Sequence, residues 1–227
     1  MEELFDRAEE YEAMLQRGIG LSGEDQRFFV AGRIQDLLSQ LPIGWVPSRI
    51  LDFGCGLGYS SKYLADRFPG AEVVGLDTAW NALNEAQKTY GSARIRFQHT
   101  DSLADLPRFD LCYVNGVFHH IVPGDRVAVV RSIYDRLNPG GYFALFENNP
   151  WNPGTRMVMK RIPFDRDAIT LTPPETLELV CKGGFSAATS TRFLFYFPRP
   201  LAVLRPLEPA LAKLPLGAQY YVLGVKR

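Results

Sequence analysis

The feature that most constrains the fold is a repeated alternation of short apolar runs with longer segments of helical periodicity. Five such runs occur, at residues 49–53, 72–76, 94–98, 109–114 and 142–146. Strands that alternate with helices in this way form parallel sheets with right-handed crossovers. The runs are almost continuously apolar, which is typical of strands covered on both faces. The sequence therefore predicts an α/β fold with helices on both faces of a mostly parallel sheet.

Helical periodicity also predicts two helices before the first strand. Apolar residues recur at helical spacing at Leu4, Ala8, Tyr11 and Leu15. A second helix is predicted over residues 24–41, with Pro42 as its stop. Within the alternating region, helices are predicted to begin near Gly58 and Ala79 and to span residues 124–137.

The alternation ends after Glu147. Residues 148–174 contain five prolines and no clean period, so a long loop or small insertion is predicted there. A helix follows over 173–182, with Pro in its first turn and two glycines at its end. The last two strands are predicted at 189–197 and 219–225, on either side of a segment rich in Pro and Leu.

The length and composition suit one domain with a sizeable core, because the chain has 227 residues, 46% of them hydrophobic. We expect residues 1–44 to form a helical cap and residues 45–150 a ligand-binding core. Residues 151–227 would supply a substrate-side insertion and the last strands.

The charge is balanced overall but uneven along the chain. Residues 1–150 carry 14 basic and 20 acidic side chains, whereas residues 151–227 carry 11 basic and 5 acidic ones. Zero net charge disfavours nucleic acid as a partner. The basic C-terminal third favours an acidic small molecule or an anionic surface.

Three cysteines without CxxC spacing argue against a disulfide framework and against a zinc site. The N-terminus has no apolar stretch typical of a signal peptide, and no run is long enough to span a membrane. These features predict a reduced, cytoplasmic protein without a metal site.

A glycine-rich turn follows the first predicted strand, in the sequence ILDFGCGLGYSS at residues 50–61. Glycine is required where the backbone takes positive φ or approaches a ligand closely. The spacing is G-x-G-x-G with Asp52 two residues before the first glycine, whereas dinucleotide-binding turns use G-x-G-x-x-G. A carboxylate beside the turn suits a ligand with an ammonium group better than a diphosphate.

Polar residues end the next three predicted strands. Asp77 follows the second strand, 23 residues after Gly54, about where an acid binds ribose hydroxyls in nucleoside-binding sheets. Asp101 follows the third strand and Asn115 ends the fourth. Since parallel strands end at one edge of a sheet, we expect Asp52 and these three residues to lie along that edge.

These stretches together resemble class I S-adenosylmethionine-dependent methyltransferases. ILDFGCGLGYSS is similar to the first motif of that family and VVGLDTA to its second. HTDSLADLP and FDLCYVNGVFHHI are similar to the third and fourth motifs, and LNPGGYFALFE resembles the stretch leading into the fifth strand. The resemblance implies a Rossmann-like seven-stranded sheet with an antiparallel last strand, and S-adenosyl-L-methionine as cofactor.

The resemblance also implies roles for the matching positions. Asp52, Gly54 and Gly56 would hold the methionine part, Asp77 the ribose, and Asp101 with Ser102 the adenine edge. Asn115 and Gly116 would line the pocket near the sulfonium. Neighbours expected to complete the cofactor site are Cys55, Gly58, Thr78 and Leu103, with Tyr11 and Arg33 from the N-terminal helices.

Methyl transfer is an in-line displacement that requires a held and oriented acceptor. A hydroxyl acceptor needs a general base, and His119 and His120, just after the fourth strand, are the candidates, with no choice between them. Glu147, after the fifth strand, is a third candidate catalytic residue. Four basic residues could form a lid that recognises phosphate or carboxylate, or a solvated helix face: Arg156, Lys160, Arg161 and Arg166.

The acceptor is expected to be a small molecule, a sugar or a lipid-linked glycan that is methylated on a hydroxyl group. Residues 193–216 could be an amphipathic helix on a membrane, or a helix packed on the core or in a dimer, so monomer and homodimer stay open. Alternatives are a nicotinamide dehydrogenase, an aminopropyl transferase on the same fold, and a scaffold that binds the cofactor without turnover.

Overall fold

In the computed structural model, which describes residues 18, 20–162, 168–185 and 190–227, seven strands form one sheet covered by helices on both faces. The strands are β1 (Arg49–Phe53), β2 (Glu72–Asp77), β3 (Ile95–His99), β4 (Phe109–Asn115), β5 (Leu137–Asn148), β6 (Ser190–Leu194) and β7 (Gln219–Val225). The helices are α1 (Gln26–Gln40), α2 (Tyr59–Arg67), α3 (Trp80–Tyr90), α4 (Arg126–Arg136), α5 (Pro153–Arg161), α6 (Pro173–Lys182) and α7 (Glu208–Leu211).

The strand order is β3-β2-β1-β4-β5-β7-β6. Strands β1 to β5 pair in parallel, and β7 inserts antiparallel between β5 and β6. From β1 the chain adds β2 and β3 on one side of the sheet, and then returns to place β4 and β5 on the other side of β1. The strand order therefore reverses between β1 and β4. Open α/β sheets bind ligands at this switch point, outside the carboxyl ends of the strands.

The two faces of the sheet are buried against different helices. On one face, Leu51 packs in a cluster with Val130 of α4 and Val180 of α6. On the other face, Ile50 packs with Ile34 of α1 and residues of α2. Because neighbouring strand residues point to opposite faces, burial on both faces explains why the strand sequences are apolar throughout.

Most predicted elements are confirmed, and three of them (β1, α6 and β7) have the predicted bounds. The predicted strand at 142–146 is longer in the structure and spans Leu137–Asn148. Helix α5 forms inside the predicted loop, because the Asn152 side chain caps it by accepting the backbone N–H of Thr155 at 3.0 Å. The predicted strand at 189–197 stops at Leu194, because Phe195 adopts φ 61°. The helix predicted around Leu4–Leu15 lies outside the described residues.

Residues 193–216 do not form one amphipathic helix. They consist of the end of β6, a kinked 3₁₀ segment at Arg199–Leu207 with no buried residue, and the short α7. Within the described ranges, no helix is both long enough and apolar enough to cross a bilayer.

A charged group ties α1 to the last two strands. The carboxylate of Asp36 accepts two hydrogen bonds from the guanidinium of Arg192, both at 2.9 Å, and one from the hydroxyl of Tyr221 at 2.8 Å. The side chains of Asp36 and Arg192 are only 18% and 16% exposed. The hydrogen bonds to Asp36 raise the pKa of Arg192 above its usual value. Two-point pairing of this kind is stronger than an ordinary surface ion pair.

We predict that Asp36→Ala lowers the free energy of unfolding by about 2–4 kcal/mol, because it leaves a largely buried guanidinium and a buried hydroxyl without their acceptor. Urea unfolding measures the change. Asp66→Ala is the matched control, since Asp66 pairs with Lys62 on the exposed side of α2 and should matter little. Equal losses of unfolding free energy in the two variants would contradict the role of Asp36 in joining α1 to the last two strands.

Candidate active site

The glycine-rich turn joins β1 to α2 with three left-handed residues. Gly54, Gly56 and Gly58 have φ values of 77°, 51° and 82°. A side chain at Gly54 would collide with Val117, whereas the space beside Gly56 is open. The turn is therefore closed toward the protein at Gly54 and open toward the cavity at Gly56.

Asp77 at the end of β2 fixes the turn from the neighbouring strand. One carboxylate oxygen accepts the backbone N–H of Gly56 at 2.8 Å, and the other accepts the N–H of Ala79 at 3.0 Å. The backbone N–H groups of Gly54 and Cys55 both donate to the carbonyl of Leu76, at 2.7 and 2.9 Å. The ends of β1 and β2 are thereby held as one unit beneath the cavity.

Asp52 is a buried carboxyl group at the cavity floor, on the α1/α2 face of the sheet. It is 2% exposed, and the hydroxyl of Ser61 on α2 donates to it at 2.6 Å. Burial is the main reason that the pKa of Asp52 is raised to about 7; Asp77 also raises it, whereas Ser61 and Arg33 lower it. A cation bound beside this group would favour its ionised form.

The carboxyl ends of β1, β2 and β4 open into a cavity of about 870 Å³. This volume lies in the upper part of the range for pockets that enclose drug-sized ligands. Most of the residues singled out in the sequence line it: Arg33, Asp52, Gly54, Cys55, Gly56, Asp77, Thr78, Asp101, Leu103, Asn115, Gly116, His119 and His120.

Four of the singled-out residues do not line this cavity or are not described. Gly58 is the last glycine of the turn and the N-cap of α2, and it does not line the cavity. The hydroxyl of Ser102 donates to the carbonyl of His99 at 2.7 Å, outside the cavity. Glu147 lies behind His119, as described next. Tyr11 lies outside the described residues.

His119 is held by a buried carboxylate. Its Nδ1 lies 2.6 Å from Oε2 of Glu147, and the two side chains are 2% and 1% exposed. The other oxygen of Glu147 accepts the backbone N–H of Phe118 at 2.8 Å. When Glu147 is ionised it can only accept hydrogen bonds, and in that state the neutral ring of His119 carries its proton on Nδ1 and has Nε2 as its basic nitrogen.

His120 also borders the cavity, and its ring centroid lies 4.2 Å from that of His119. The structure thus distinguishes the two histidines that the sequence left equal, because the contact with Glu147 orients His119. A carboxylate behind a histidine is the usual arrangement for fixing a catalytic imidazole.

Asn115 ends β4 at the cavity, and its side-chain oxygen is buried with no hydrogen-bond partner among the described residues. Buried polar atoms are nearly always paired, so an unpaired one at a cavity wall indicates a bound ligand. Gly116 follows with φ 67°.

Arg33 reaches the cavity from α1. Its Nε donates to the hydroxyl of Tyr113 at 3.0 Å, and its Nη1 donates to Oε1 of Gln219 at 2.9 Å. These contacts bring α1, β4 and β7 together beside Asp52. Neither partner was evident from the sequence, because each lies far from Arg33 along the chain.

Three aromatic residues of the cavity were also missed by the sequence analysis: Phe28, Phe29 and Phe195. Helical periodicity over residues 24–41 could have placed the first two on α1. Nothing in the sequence indicates that Phe195 leaves its strand to join them. In the described part of the chain, no group of three or more His, Cys, Asp or Glu side chains is arranged to hold a metal ion.

Comparison with known proteins agrees with this geometry. Residues 50–141 match a family model described as a methyltransferase domain. Trans-aconitate 2-methyltransferase of Rhodopseudomonas palustris is 27% identical over 145 residues, which cover 64% of this chain and 54% of that protein. The protein of the same name from Methylobacterium nodulans is 35% identical over 131 residues, covering 56% and 48%. The chain spans about half the length of these curated relatives.

Solved structures share the fold at low sequence identity. A possible histamine N-methyltransferase from Thermotoga maritima has a TM-score of 0.68 at 18% identity, with 99% of each chain covered. Human N-acetylserotonin methyltransferase, solved in complex with S-adenosylmethionine, has a TM-score of 0.64 at 20% identity, covering 94% of this chain and 55% of that one. Residues 50–141 therefore match a methyltransferase domain, and the seven-stranded sheet has the fold of S-adenosylmethionine-dependent methyltransferases of known structure.

Proposed function

We propose that this chain transfers a methyl group from S-adenosylmethionine to a small-molecule acceptor. The observation that carries the proposal is the open left-handed turn at Gly56, bordered by Asp52 and Asp77, at the switch point of the sheet. S-adenosylmethionine supplies a methyl group on a positively charged sulfur, to be transferred by in-line displacement.

The cavity residues fit this cofactor in shape and charge. Gly56 leaves room for close approach of a ligand to the backbone, and Asn115 offers an unpaired oxygen. In our proposal, Asp52 binds the amino group of the methionine part, and Arg33 binds its carboxylate. Asp77 accepts hydrogen bonds from the ribose hydroxyls, and Asp101 lies beside the adenine. Neighbouring carboxylates also favour binding of the positively charged cofactor.

The proposed general base is His119, with Glu147 as the residue that positions it. Through Nε2, His119 would take the proton of an acceptor hydroxyl while Glu147 stabilises the imidazolium that forms. Proton transfer of this kind contributes about 10²–10⁴-fold to a rate. His120 would border the acceptor without taking the proton.

A second acceptor chemistry comes from the relatives, which are named for methylation of trans-aconitate. A carboxylate acceptor is already ionised and needs no base, so the His119–Glu147 pair favours a hydroxyl. Three expectations have support from the sequence only: a sugar or lipid-linked acceptor, a cytoplasmic location, and a monomeric or homodimeric state.

We predict that Asp77→Asn weakens binding of S-adenosylhomocysteine by about 5- to 100-fold, because a ribose hydroxyl loses a charged acceptor. Calorimetric titration measures the affinity. Asp66→Asn, on the exposed side of α2, is the matched control and should bind as the wild type does. An unchanged affinity in Asp77→Asn would contradict the ribose assignment.

We predict that binding of S-adenosylhomocysteine releases a proton from Asp52. In the free protein this group has a pKa of about 7, so about half the molecules carry the proton at pH 7. An ammonium group bound beside it lowers that pKa, and apparent affinity then rises as the pH increases through 7.

Calorimetry at pH 7 in phosphate and in Tris measures this release, because the heat of buffer protonation differs between the two. The observed enthalpy should depend on the buffer in the wild type and should not in Asp52→Asn. The same enthalpy in both buffers for the wild type would contradict the placement of the amino group.

We predict that neutral His119 carries its proton on Nδ1. Two-bond ¹H–¹⁵N NMR correlations of the ring identify the tautomer, and His99→Gln and His120→Gln variants assign the signals. Glu147→Gln should abolish the single fixed tautomer, because an amide accepts the proton less strongly than a carboxylate. A proton fixed on Nε2 in the wild type would exclude His119 as the base.

A further inference from the structure

Three phenylalanine rings form one wall of the cavity, which we call the aromatic wall: Phe28, Phe29 and Phe195. The ring centroids of Phe28 and Phe29 are 5.3 Å apart, and that of Phe195 lies 5.7 and 4.9 Å from them. All three line the cavity, and each ring is only partly buried. The rings pack at steep angles, 84° between Phe28 and Phe29 and 72° between Phe29 and Phe195, so they offer separate ring faces and edges to a flat apolar ligand.

The backbone is arranged specifically to bring Phe195 into this wall. Phe195 adopts φ 61°, the only positive φ among the described residues other than glycine, and this conformation is strained for a bulky side chain. Opposite it, Gly32 sits inside α1, where a Cβ would lie 2.6 Å from the ring of Phe195. Glycine also weakens a helix interior. Two unfavourable features, the glycine in α1 and the positive φ of Phe195, therefore accompany the packing of this one ring. Strained residues of this kind cluster at ligand sites.

One cation of the cavity is ion-paired, and the proposed function assigns the other to the carboxylate of the cofactor. Among the described residues, Arg33 and Arg205 are the only Arg or Lys side chains that line it. Arg33 donates to Tyr113 and Gln219, as described above. Arg205 donates to Glu24 at 2.7 Å, and its guanidinium lies 4.4 Å from the ring centroid of Phe28.

The basic residues that suggested an acidic acceptor lie elsewhere. Arg156, Lys160 and Arg161 of α5 are exposed and do not line the cavity. Carboxyl groups do line it, at Asp52, Asp77 and Asp101, and in their ionised form they would repel a multiply charged anion. The positive charge of α5 is therefore directed to solvent rather than to the cavity.

Building on the proposed function, we infer that the acceptor is a flat, apolar molecule of aromatic-ring size that carries a hydroxyl, and that it stacks on the aromatic wall. Apolar side chains continue the same surface at Ile121, Met157, Val158 and Ile162. Among the described residues, no cation of the cavity remains for a polycarboxylate acceptor, because Arg205 pairs with Glu24 and the proposed function assigns Arg33 to the cofactor.

The test uses two probes, 2-naphthol and trans-aconitate, titrated into protein saturated with S-adenosylhomocysteine. Calorimetry gives each affinity without requiring turnover. We expect 2-naphthol to bind and trans-aconitate not to bind. Binding of trans-aconitate with no binding of 2-naphthol would overturn the inference.

Two variants locate the site. Phe29→Leu keeps an apolar side chain but removes one ring, and should weaken 2-naphthol binding by roughly fivefold. Phe195→Gly removes the ring while allowing positive φ, and should weaken it about tenfold or more. Trp45→Leu is the matched control, because Trp45 packs against Phe68 and Tyr142 away from the cavity.

S-adenosylhomocysteine affinity and Tm are measured for each variant, so that loss of the fold is recognised. Unchanged 2-naphthol affinity in both phenylalanine variants would overturn the inference while leaving the proposed function intact. If the wild type binds no S-adenosylhomocysteine, the proposed function fails, and this inference fails with it.

Discussion

The contact between the Asp77 carboxylate and the backbone N–H of Gly56 organises the rest of the site. It joins the end of β2 to a turn whose three glycines adopt a conformation that other residues rarely take. With the turn fixed, α2 begins at a defined point and brings Ser61 onto Asp52. The same contact holds two carboxyl groups at one cavity edge. Burial of Asp52, together with the neighbouring Asp77, raises the pKa of Asp52 to about 7, and a bound cation would lower it.

The opposite side of the cavity depends on a second buried contact, between Glu147 and His119. Glu147 ends a central strand and bonds both the ring of His119 and the backbone before it, so strand β5 sets the position of a residue that follows β4. Charge is thus divided across the cavity. Carboxyl groups that favour a cationic ligand lie at the ends of β1 and β2, and an oriented imidazole lies after β4. This division suits the proposed transfer of a methyl group from a cationic sulfur to a hydroxyl.

Residues at strand ends could be predicted from the sequence, because parallel pairing alone brings Asp52, Asp77 and Asn115 to one edge. What could not be predicted depends on contacts between distant segments. The orientation of His119 requires knowing that Glu147 lies behind it rather than in the cavity, and Gln219 reaches Arg33 only because β7 inserts beside β5. Phe195 was predicted to lie within a strand, because β-propensity does not reveal that its backbone adopts a positive φ and that its ring packs against Gly32 of α1.

The central claim is that the glycine turn and the acids around it hold S-adenosylmethionine rather than a dinucleotide. Calorimetric titration of the wild-type protein with S-adenosylhomocysteine, with NAD as the comparison ligand, tests it most directly. The account predicts one saturable site for S-adenosylhomocysteine, with a Kd in the micromolar range, and no heat of binding for NAD. Binding of NAD in preference to S-adenosylhomocysteine, or binding of neither, would contradict it.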